Sequence, residues 1–223
     1  MNDIIILENV LPESFAHQVK EWVMDGGVQW FYHDDLTYGD KDDAINLFAG
    51  RYSLDIHFAF SPGFSHALFD NGESQSNLWS DIHPIVWFLS EKLDNKALTA
   101  FSVKMNMQLQ RSTKNYLSCN YPHQDQPEHQ DTWIFLYYVN DSDGDTIIFD
   151  GVGPPDLTIR ERIRPKANTG VFFSNKFWHA SSNPIGYNRR VNINFNLLEL
   201  SDGSYYFHTA VGSSRRVCYI ASV

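Results

Sequence analysis

The chain has 223 residues, of which 43% are hydrophobic and 15% aromatic, enough to bury a real core and to exclude an intrinsically disordered chain. Its 17 basic and 27 acidic residues give a net charge of −10. This charge argues against nucleic acid as a partner, because sequence-independent phosphate binding relies on Lys and Arg.

Two cysteines, Cys119 and Cys218, are too few for a disulfide scaffold. With no basic leader and no apolar run of about 18 residues, we expect a cytoplasmic protein without a membrane span.

The N-terminal part of the chain predicts two helices and little regular sheet. Residues 4–7 form an apolar run that predicts a short buried strand. A helix is predicted to begin at Pro12, with apolar residues at helical spacing. A second helical pattern covers residues 77–93, in which Pro84 is tolerated only in an early turn. Residues 30–72 between them are irregular and rich in aromatics, and we place them as a cover on the substrate side.

After Asn95 the hydrophobic period changes from 3.6 to 2, which is typical of strands. Strands are predicted at residues 102–110, 133–139, 146–149, 170–174 and 191–200. Helices followed by a run of short strands predict a single α+β, mainly β domain over residues 1–223, whose strands close as a sandwich or barrel. In this division residues 1–100 are helical support and cover, 101–200 the barrel core, and 201–223 a C-terminal extension.

Three His-x-Asp triplets occur, beginning at His33, His123 and His129. In an extended segment residues i and i+2 point to the same face, so the imidazole and the carboxylate can bind one ion. A triplet alone is more often a solvated loop. Here, however, an apolar strand leads to His179 downstream, and an alternating strand follows after Arg189-Arg190. Two His and one carboxylate form the facial triad of non-heme Fe(II) oxygenases, which leaves positions open for a cosubstrate and O₂.

From about residue 108 to 200 the sequence resembles the Fe(II)/2-oxoglutarate-dependent oxygenases, specifically the prolyl-4-hydroxylase-like branch. The matching triad is His123, Asp125 and His179, with arginines ten and eleven positions after His179. Between them, residues 135–140 look like the family's YYLN strand, 144–149 like its glycine-then-strand segment with one glycine instead of two, and 163–170 like its P-K-x-G turn. The resemblance implies a double-stranded β-helix, that is, a jelly-roll or cupin-like barrel, supported by N-terminal helices.

The choice between two neighbouring triplets rests on the room that each leaves before the tyrosine-rich strand. His123 and Asp125 leave seven residues for a turn into that strand, whereas His129 and Asp131 almost abut it. The family also places its His-x-Asp motif well before this strand. We therefore predict His123 and Asp125 as metal ligands and keep His129 and Asp131 as the alternative. His33 is interpreted as structural or substrate-side.

An arginine is the expected partner for the far carboxylate of 2-oxoglutarate, because its guanidinium binds carboxylates in bidentate fashion. Arg190 shares a strand face with the asparagines that follow it, whereas Arg189 shares the apolar face. Its position on the polar face favours Arg190 as the partner of this carboxylate and leaves Arg189 as the alternative. Tyr138 matches the family position that donates a hydroxyl to the same carboxylate. Asn106 or Gln108 is predicted to contact the keto-acid end of the cosubstrate or the substrate, if their strand face lines the cavity and not the outer surface.

The resemblance implies a dioxygenase that uses Fe(II), 2-oxoglutarate and O₂ to hydroxylate an unactivated C–H bond, with ascorbate as a further candidate cofactor. It implies a peptide or protein substrate, with a prolyl residue first, and a free amino acid or other small molecule as the alternative. Two other classes stay open. One is a non-catalytic jelly-roll module for binding or assembly. The other is a cupin-like metalloenzyme without 2-oxoglutarate, against which the arginines after His179 argue.

Overall fold

The computed structural model describes residues 4–37, 41–48, 57–60, 62–111, 118–129 and 131–200. The predicted C-terminal extension, 201–223, and Cys218 lie outside these ranges. Within them the helices are α1 (Glu13–Met24), α2 (Lys41–Leu47), α3 (Trp79–Ile82) and α4 (Ile85–Lys92). The strands are β1 (Ile4–Glu8), β2 (Phe31–His33), β3 (His57–Phe58), β4 (Gly63–Asp70), β5 (Glu73–Ser74), β6 (Leu98–Leu109), β7 (Ser118–Cys119), β8 (Trp133–Tyr138), β9 (Thr146–Asp150), β10 (Thr158–Ile163), β11 (Thr169–Ser174), β12 (Trp178–Ser181) and β13 (Arg189–Glu199).

Two antiparallel sheets pack face to face. Among the described residues the larger sheet has eight strands in the order β1-β11-β8-β13-β6-β4-β2, with β5 beside β4, and the smaller has the order β10-β9-β12. Ile134, Leu136 and Tyr138 from β8 share one buried cluster with Ile148 and Ile163 from the smaller sheet. Side chains from the two inner faces thus form a core between the sheets. The predicted mainly β, α+β architecture is confirmed.

The larger sheet is buried on both faces because its central strands alternate between two environments. On β13, Val191, Ile193 and Phe195 join a core cluster with Val19 of α1 and Leu89 of α4. Successive residues of a strand point to opposite faces, so the residues between them point inward between the sheets. These inward residues are polar and almost fully buried: Arg190, Asn192, Asn194 and Asn196. The alternation of polar and apolar residues along this strand predicted this arrangement, with a polar inner face and an apolar outer face.

Two local predictions differ from the structure. The single helix predicted over residues 77–93 is divided into α3 and α4 at Pro84, which has no N–H group to donate to the carbonyl one turn earlier. The strand predicted as buried at residues 4–7 is β1, which pairs only with β11 at the edge of the larger sheet. At this edge β11 is its only strand partner among the described residues, and Ile5 and Ile6 are exposed.

The region predicted as irregular, residues 30–72, contains the helix α2 and two strands of the larger sheet, β2 and β4. The longer of these strands, β4, pairs antiparallel with β6 from Gly63 to Asp70. A register shift between Ala67 and Phe69 interrupts the period-two pattern, which explains why the alternation was not recognisable in the sequence. The sheet therefore takes strands from both sides of residue 100. No helix in the described ranges is long and apolar enough to cross a membrane.

Candidate metal centre

The chain segment after β7 runs beside β12 and brings two histidines together. The backbone N–H of His123 donates to the carbonyl of His179, and that of His179 donates back to the carbonyl of His123, each at 2.9 Å. These paired bonds form an isolated antiparallel bridge. The two imidazole rings consequently lie with their centroids 4.4 Å apart. Asp125 follows two residues after His123, on the same side of the segment.

Three donor atoms converge at this bridge. The Nε2 atom of His123 lies 3.3 Å from Oδ1 of Asp125, and Nε2 of His179 lies 3.7 Å from the same oxygen. Ligand atoms that share one six-coordinate ion lie about 3 Å apart, because each is about 2.1 Å from the metal. Small side-chain adjustments therefore suffice for the three groups to bind one ion. Two imidazoles and one carboxylate are the donor set of Fe(II) oxygenases, so the residues present fit the predicted iron.

The surroundings hold Asp125 and His123 in the protonation states that bind a metal. Burial would raise the pKa of Asp125, but hydrogen bonds from His123 and His179 outweigh it and hold that pKa well below 3.8. Burial lowers the pKa of His123 below 6.5, and the neighbouring His179 adds to the effect. An ionised carboxylate and neutral imidazoles are the forms that coordinate metal ions. The cluster is therefore ready to bind a cation near neutral pH.

A second layer of hydrogen bonds orients the ligands. The side-chain amide of Asn194, on β13, donates from Nδ2 to Oδ2 of Asp125 at 2.6 Å. This bond leaves Oδ1 directed at the histidines. On the other side, Nδ1 of His179 lies 3.4 Å from the carbonyl oxygen of Phe177, which leaves Nε2 toward the cluster. Such partners fix the orientation and basicity of metal ligands. The sequence pattern placed Asn194 on the inner face of its strand but did not identify this contact.

The other two His-x-Asp triplets lie elsewhere. His129 is exposed, and the side chain of Asp131 is 97% exposed and pairs with Lys176 at 3.1 Å. His33 is exposed on β2, at the end of the larger sheet. Among the described residues, the structure thus brings only the middle triplet to His179.

A cavity between the two sheets extends from the metal cluster along the inner face of β6 and β13. Its wall contains polar side chains from both strands: Lys104, Asn106, Gln108, Arg190, Asn192 and Asn194. The register places Arg190 opposite Gln108, and Asn194 opposite Lys104. The face of β6 that carries Asn106 and Gln108 therefore lines the cavity, which was one of the two arrangements left open by its alternation. Arg189 is not among the residues of this wall.

Arg190 is only 2% exposed and is held by three hydrogen bonds. Its Nε donates to the carbonyl of Gly144 at 2.8 Å, its Nη1 to Oε1 of Gln108 at 3.0 Å, and its Nη2 to Oγ1 of Thr146 at 2.8 Å. Burial lowers its pKa below the usual value of an arginine, and Tyr138 and Asp145 oppose that shift. An arginine does not lose its proton under such conditions, so a fixed cation faces the end of the cavity next to Gln108.

Tyr138 lies behind this arginine and is not one of the residues that line the cavity. Its ring is fully buried and its hydroxyl donates to Oγ1 of Thr146 at 2.8 Å. Because Thr146 also accepts a bond from Arg190, both of its acceptor positions are used and its own O–H can donate into the cavity. The structure places Thr146, and not Tyr138, on the wall beside Arg190. Thr146 lay in the strand predicted at 146–149, but no sequence signal singled it out.

The fold is that of the 2-oxoglutarate/Fe(II) oxygenases. An oxidoreductase of the 2OG-Fe(II) oxygenase family from Burkholderia pseudomallei covers 87% of this chain and 84% of its own, at 11% identity and a TM-score of 0.59. SnoN, a non-heme alpha-ketoglutarate-dependent epimerase from nogalamycin biosynthesis, covers 88% and 78%, at 10% identity and a TM-score of 0.56. HygX from Streptomyces hygroscopicus, bound to nickel, 2-oxoglutarate and hygromycin B, covers 87% and 82%, at 8% identity and a TM-score of 0.52.

At these identities the likeness is one of fold. It confirms the predicted jelly-roll barrel. No protein-family model and no curated protein matches the sequence.

Proposed function

We propose that this protein is an Fe(II)- and 2-oxoglutarate-dependent dioxygenase that hydroxylates an unactivated C–H bond. The observation that carries the proposal is the convergence of His123, Asp125 and His179 on a cavity whose wall also contains the buried cation Arg190. With Fe(II) bound, the centre supplies the oxidative chemistry in which 2-oxoglutarate and O₂ give succinate and CO₂ while one oxygen atom enters the substrate.

The residues of the chain have separate tasks in this proposal. His123, Asp125 and His179 hold the iron. Arg190 binds the far carboxylate of 2-oxoglutarate, and Gln108 keeps the guanidinium in place through its 3.0 Å bond. Because that carboxylate would otherwise be desolvated without a partner, a buried arginine is a suitable anchor for it.

Two further side chains complete the cosubstrate site. Thr146 donates its hydroxyl to the carboxylate held by Arg190, and Tyr138 acts through Thr146, to which its own hydroxyl is bonded. Asn106 lines the cavity between the arginine end and the metal end, where its amide can contact the keto-acid part of the cosubstrate.

Two observations bear on the substrate class. The sequence resemblance favours a prolyl or other residue of a peptide, with a small molecule as the alternative. Among the similar structures above, SnoN comes from the biosynthesis of nogalamycin and HygX holds hygromycin B, both of which are small molecules. We therefore place a small-molecule substrate ahead of a peptide.

The experiment that tests the reaction class is the Fe(II)-dependent conversion of 2-oxoglutarate into succinate in air. We expect slow turnover without substrate, and none in the Asp125→Ala variant, in which the carboxylate ligand is missing. Absence of turnover and of Fe(II)-dependent 2-oxoglutarate binding in the unmodified protein would favour the non-catalytic jelly-roll alternative. Screening free amino acids, other small molecules and proline-containing peptides for a product heavier by one oxygen atom then separates the substrate classes.

A further inference from the structure

Lys104 is a charged side chain of the cavity that the proposed reaction does not use. It lies on the inner face of β6, directly opposite Asn194, whose amide holds Asp125. It is half-buried, and no described residue forms an ion pair or a hydrogen bond with its ammonium group. A lysine placed inside a cavity without a protein partner is costly unless a ligand compensates its charge.

The position of Lys104 separates it from the anchor predicted for 2-oxoglutarate. Gln108, which bonds to Arg190, lies four residues further along the same strand, about 13 Å away at about 3.3 Å per residue. The two cations therefore project from opposite ends of the cavity wall. Lys104 stands at the metal end, where its charge acts on both His123 and Asp125.

The charge balance of the loaded site leaves Lys104 uncompensated. The charged side chains of the wall are Lys104, Arg190 and Asp125, and an imidazole that coordinates a metal is neutral. Fe(II) adds two positive charges to those of Lys104 and Arg190, and Asp125 removes one, so the net charge of the site is +3. The two carboxylates of 2-oxoglutarate remove two of these. One positive charge remains at the metal end, in a protein whose net charge is −10.

A second observation points to a ligand at the same place. Oδ1 of Asn194 is buried and has no hydrogen-bond partner, although Nδ2 of the same side chain bonds to Asp125. Asn194 is only 4% exposed and lines the cavity beside Lys104. A buried acceptor without a donor is unfavourable in a folded protein and is satisfied when a ligand supplies an N–H or O–H group.

We propose that Lys104 binds a carboxylate of the substrate, so that the enzyme acts on a small carboxylic acid, with Asn194 accepting a hydrogen bond from a neighbouring N–H or O–H group of that acid. This inference rests on the proposed function and names its substrate class. Amino acids and hydroxy acids combine the two groups that this wall can recognise.

The inference is tested by binding, because the substrate itself is not identified. The probes are acetate, propionate and benzoate, each compared with its amide, titrated by calorimetry into protein loaded with Mn(II) and saturated with 2-oxoglutarate. We expect the acids to bind at least about tenfold more tightly than the amides, since a charge-assisted hydrogen bond is roughly twice as strong as a neutral one. The preference should disappear in Lys104→Met and Lys104→Gln and persist in Lys104→Arg. Lys20→Met, which removes an exposed lysine of α1, is the matched control.

Each other result contradicts the inference. Equal affinity for acids and amides, or no binding of either, would overturn it, as would a preference that survives in both Lys104→Met and Lys104→Gln. If the affinity for 2-oxoglutarate falls by the same factor as that for the probes, Lys104 belongs to the cosubstrate site. Failure of the unmodified protein to bind 2-oxoglutarate with Mn(II) would contradict the proposed function itself.

Discussion

Asn194 is not one of the proposed metal ligands, but its side chain holds one of them, Asp125. Its 2.6 Å bond to Oδ2 of Asp125 fixes which carboxylate oxygen faces the histidines. We expect Asn194→Ala to lower the affinity for Mn(II) about 10–100-fold, the range typical when a partner of a metal ligand is removed. Calorimetric titration measures this. The control is Asn196→Ala, which changes the next inward asparagine of β13 and leaves Asp125 and its partner in place. Equal losses in the two variants would show that the effect is one of folding.

Arg190 and Arg189 are adjacent in sequence but lie on different faces of β13. Replacement of Arg190 by Gln removes the buried cation at the end of the cavity, and we expect the affinity for 2-oxoglutarate to fall about 10–100-fold, as for the loss of hydrogen bonds to a charged group. Arg189→Gln should leave it within about twofold. The measurement is 2-oxoglutarate binding to the Mn(II) protein, accompanied by a melting curve for each variant. A larger effect at Arg189 would reverse the assignment.

At the scale of elements, the site could be predicted where its side chains sit on regular strands. The alternation of β13 predicted that Arg190, and not Arg189, faces inward. The spacing before β8 favoured His123 over His129 as the histidine that lies beside His179. The strand β4 was missed because its bulge breaks the alternation. Contacts between the two sheets could not be predicted from the sequence either. The bonds from Arg190 to Thr146 and from Asn194 to Asp125 join residues 44 and 69 positions apart, and they depend on how the sheets face each other.

The close approach of β8 and β11 depends on Gly170. A Cβ atom at this position would lie 2.7 Å from the carbonyl oxygen of Leu136 and 2.5 Å from the ring of Phe135. We expect Gly170→Ala to destabilise the protein by about 1–3 kcal/mol through overpacking, a loss of about 2–12 °C in melting temperature for a chain of this size. Gly26→Ala is the control, because nothing lies within 4 Å of its added carbon. Equal melting temperatures would mean that the strands can separate without cost.

In the whole molecule, the buried residues of the proposed metal site are expected to couple stability to pH. His123 has a pKa lowered from 6.5 and Asp125 one well below 3.8, so the folded protein binds fewer protons at these groups than the unfolded chain. Their contribution is fully present above about pH 6.5 and is lost as the pH falls through the folded-state values. We expect the free energy of unfolding of the metal-free protein, measured in urea, to decrease between pH 7.5 and pH 5.

The variants separate this effect from general acid destabilisation. His123→Ala should weaken the dependence on pH, whereas His17→Ala, at an exposed histidine of α1, should preserve it. An unchanged slope in His123→Ala would assign the dependence to other groups of this acidic chain.

We expect His123, Asp125 and His179 to form one Fe(II) site in this chain. It is tested most directly by titrating Fe(II), under anaerobic conditions with 2-oxoglutarate present, into the unmodified protein and into His123→Ala and His129→Ala. We predict that the unmodified protein and His129→Ala bind one equivalent with similar affinity and that His123→Ala does not bind. Loss of binding in His129→Ala, with retention in His123→Ala, would assign the iron to the other His-x-Asp triplet and contradict the proposed site.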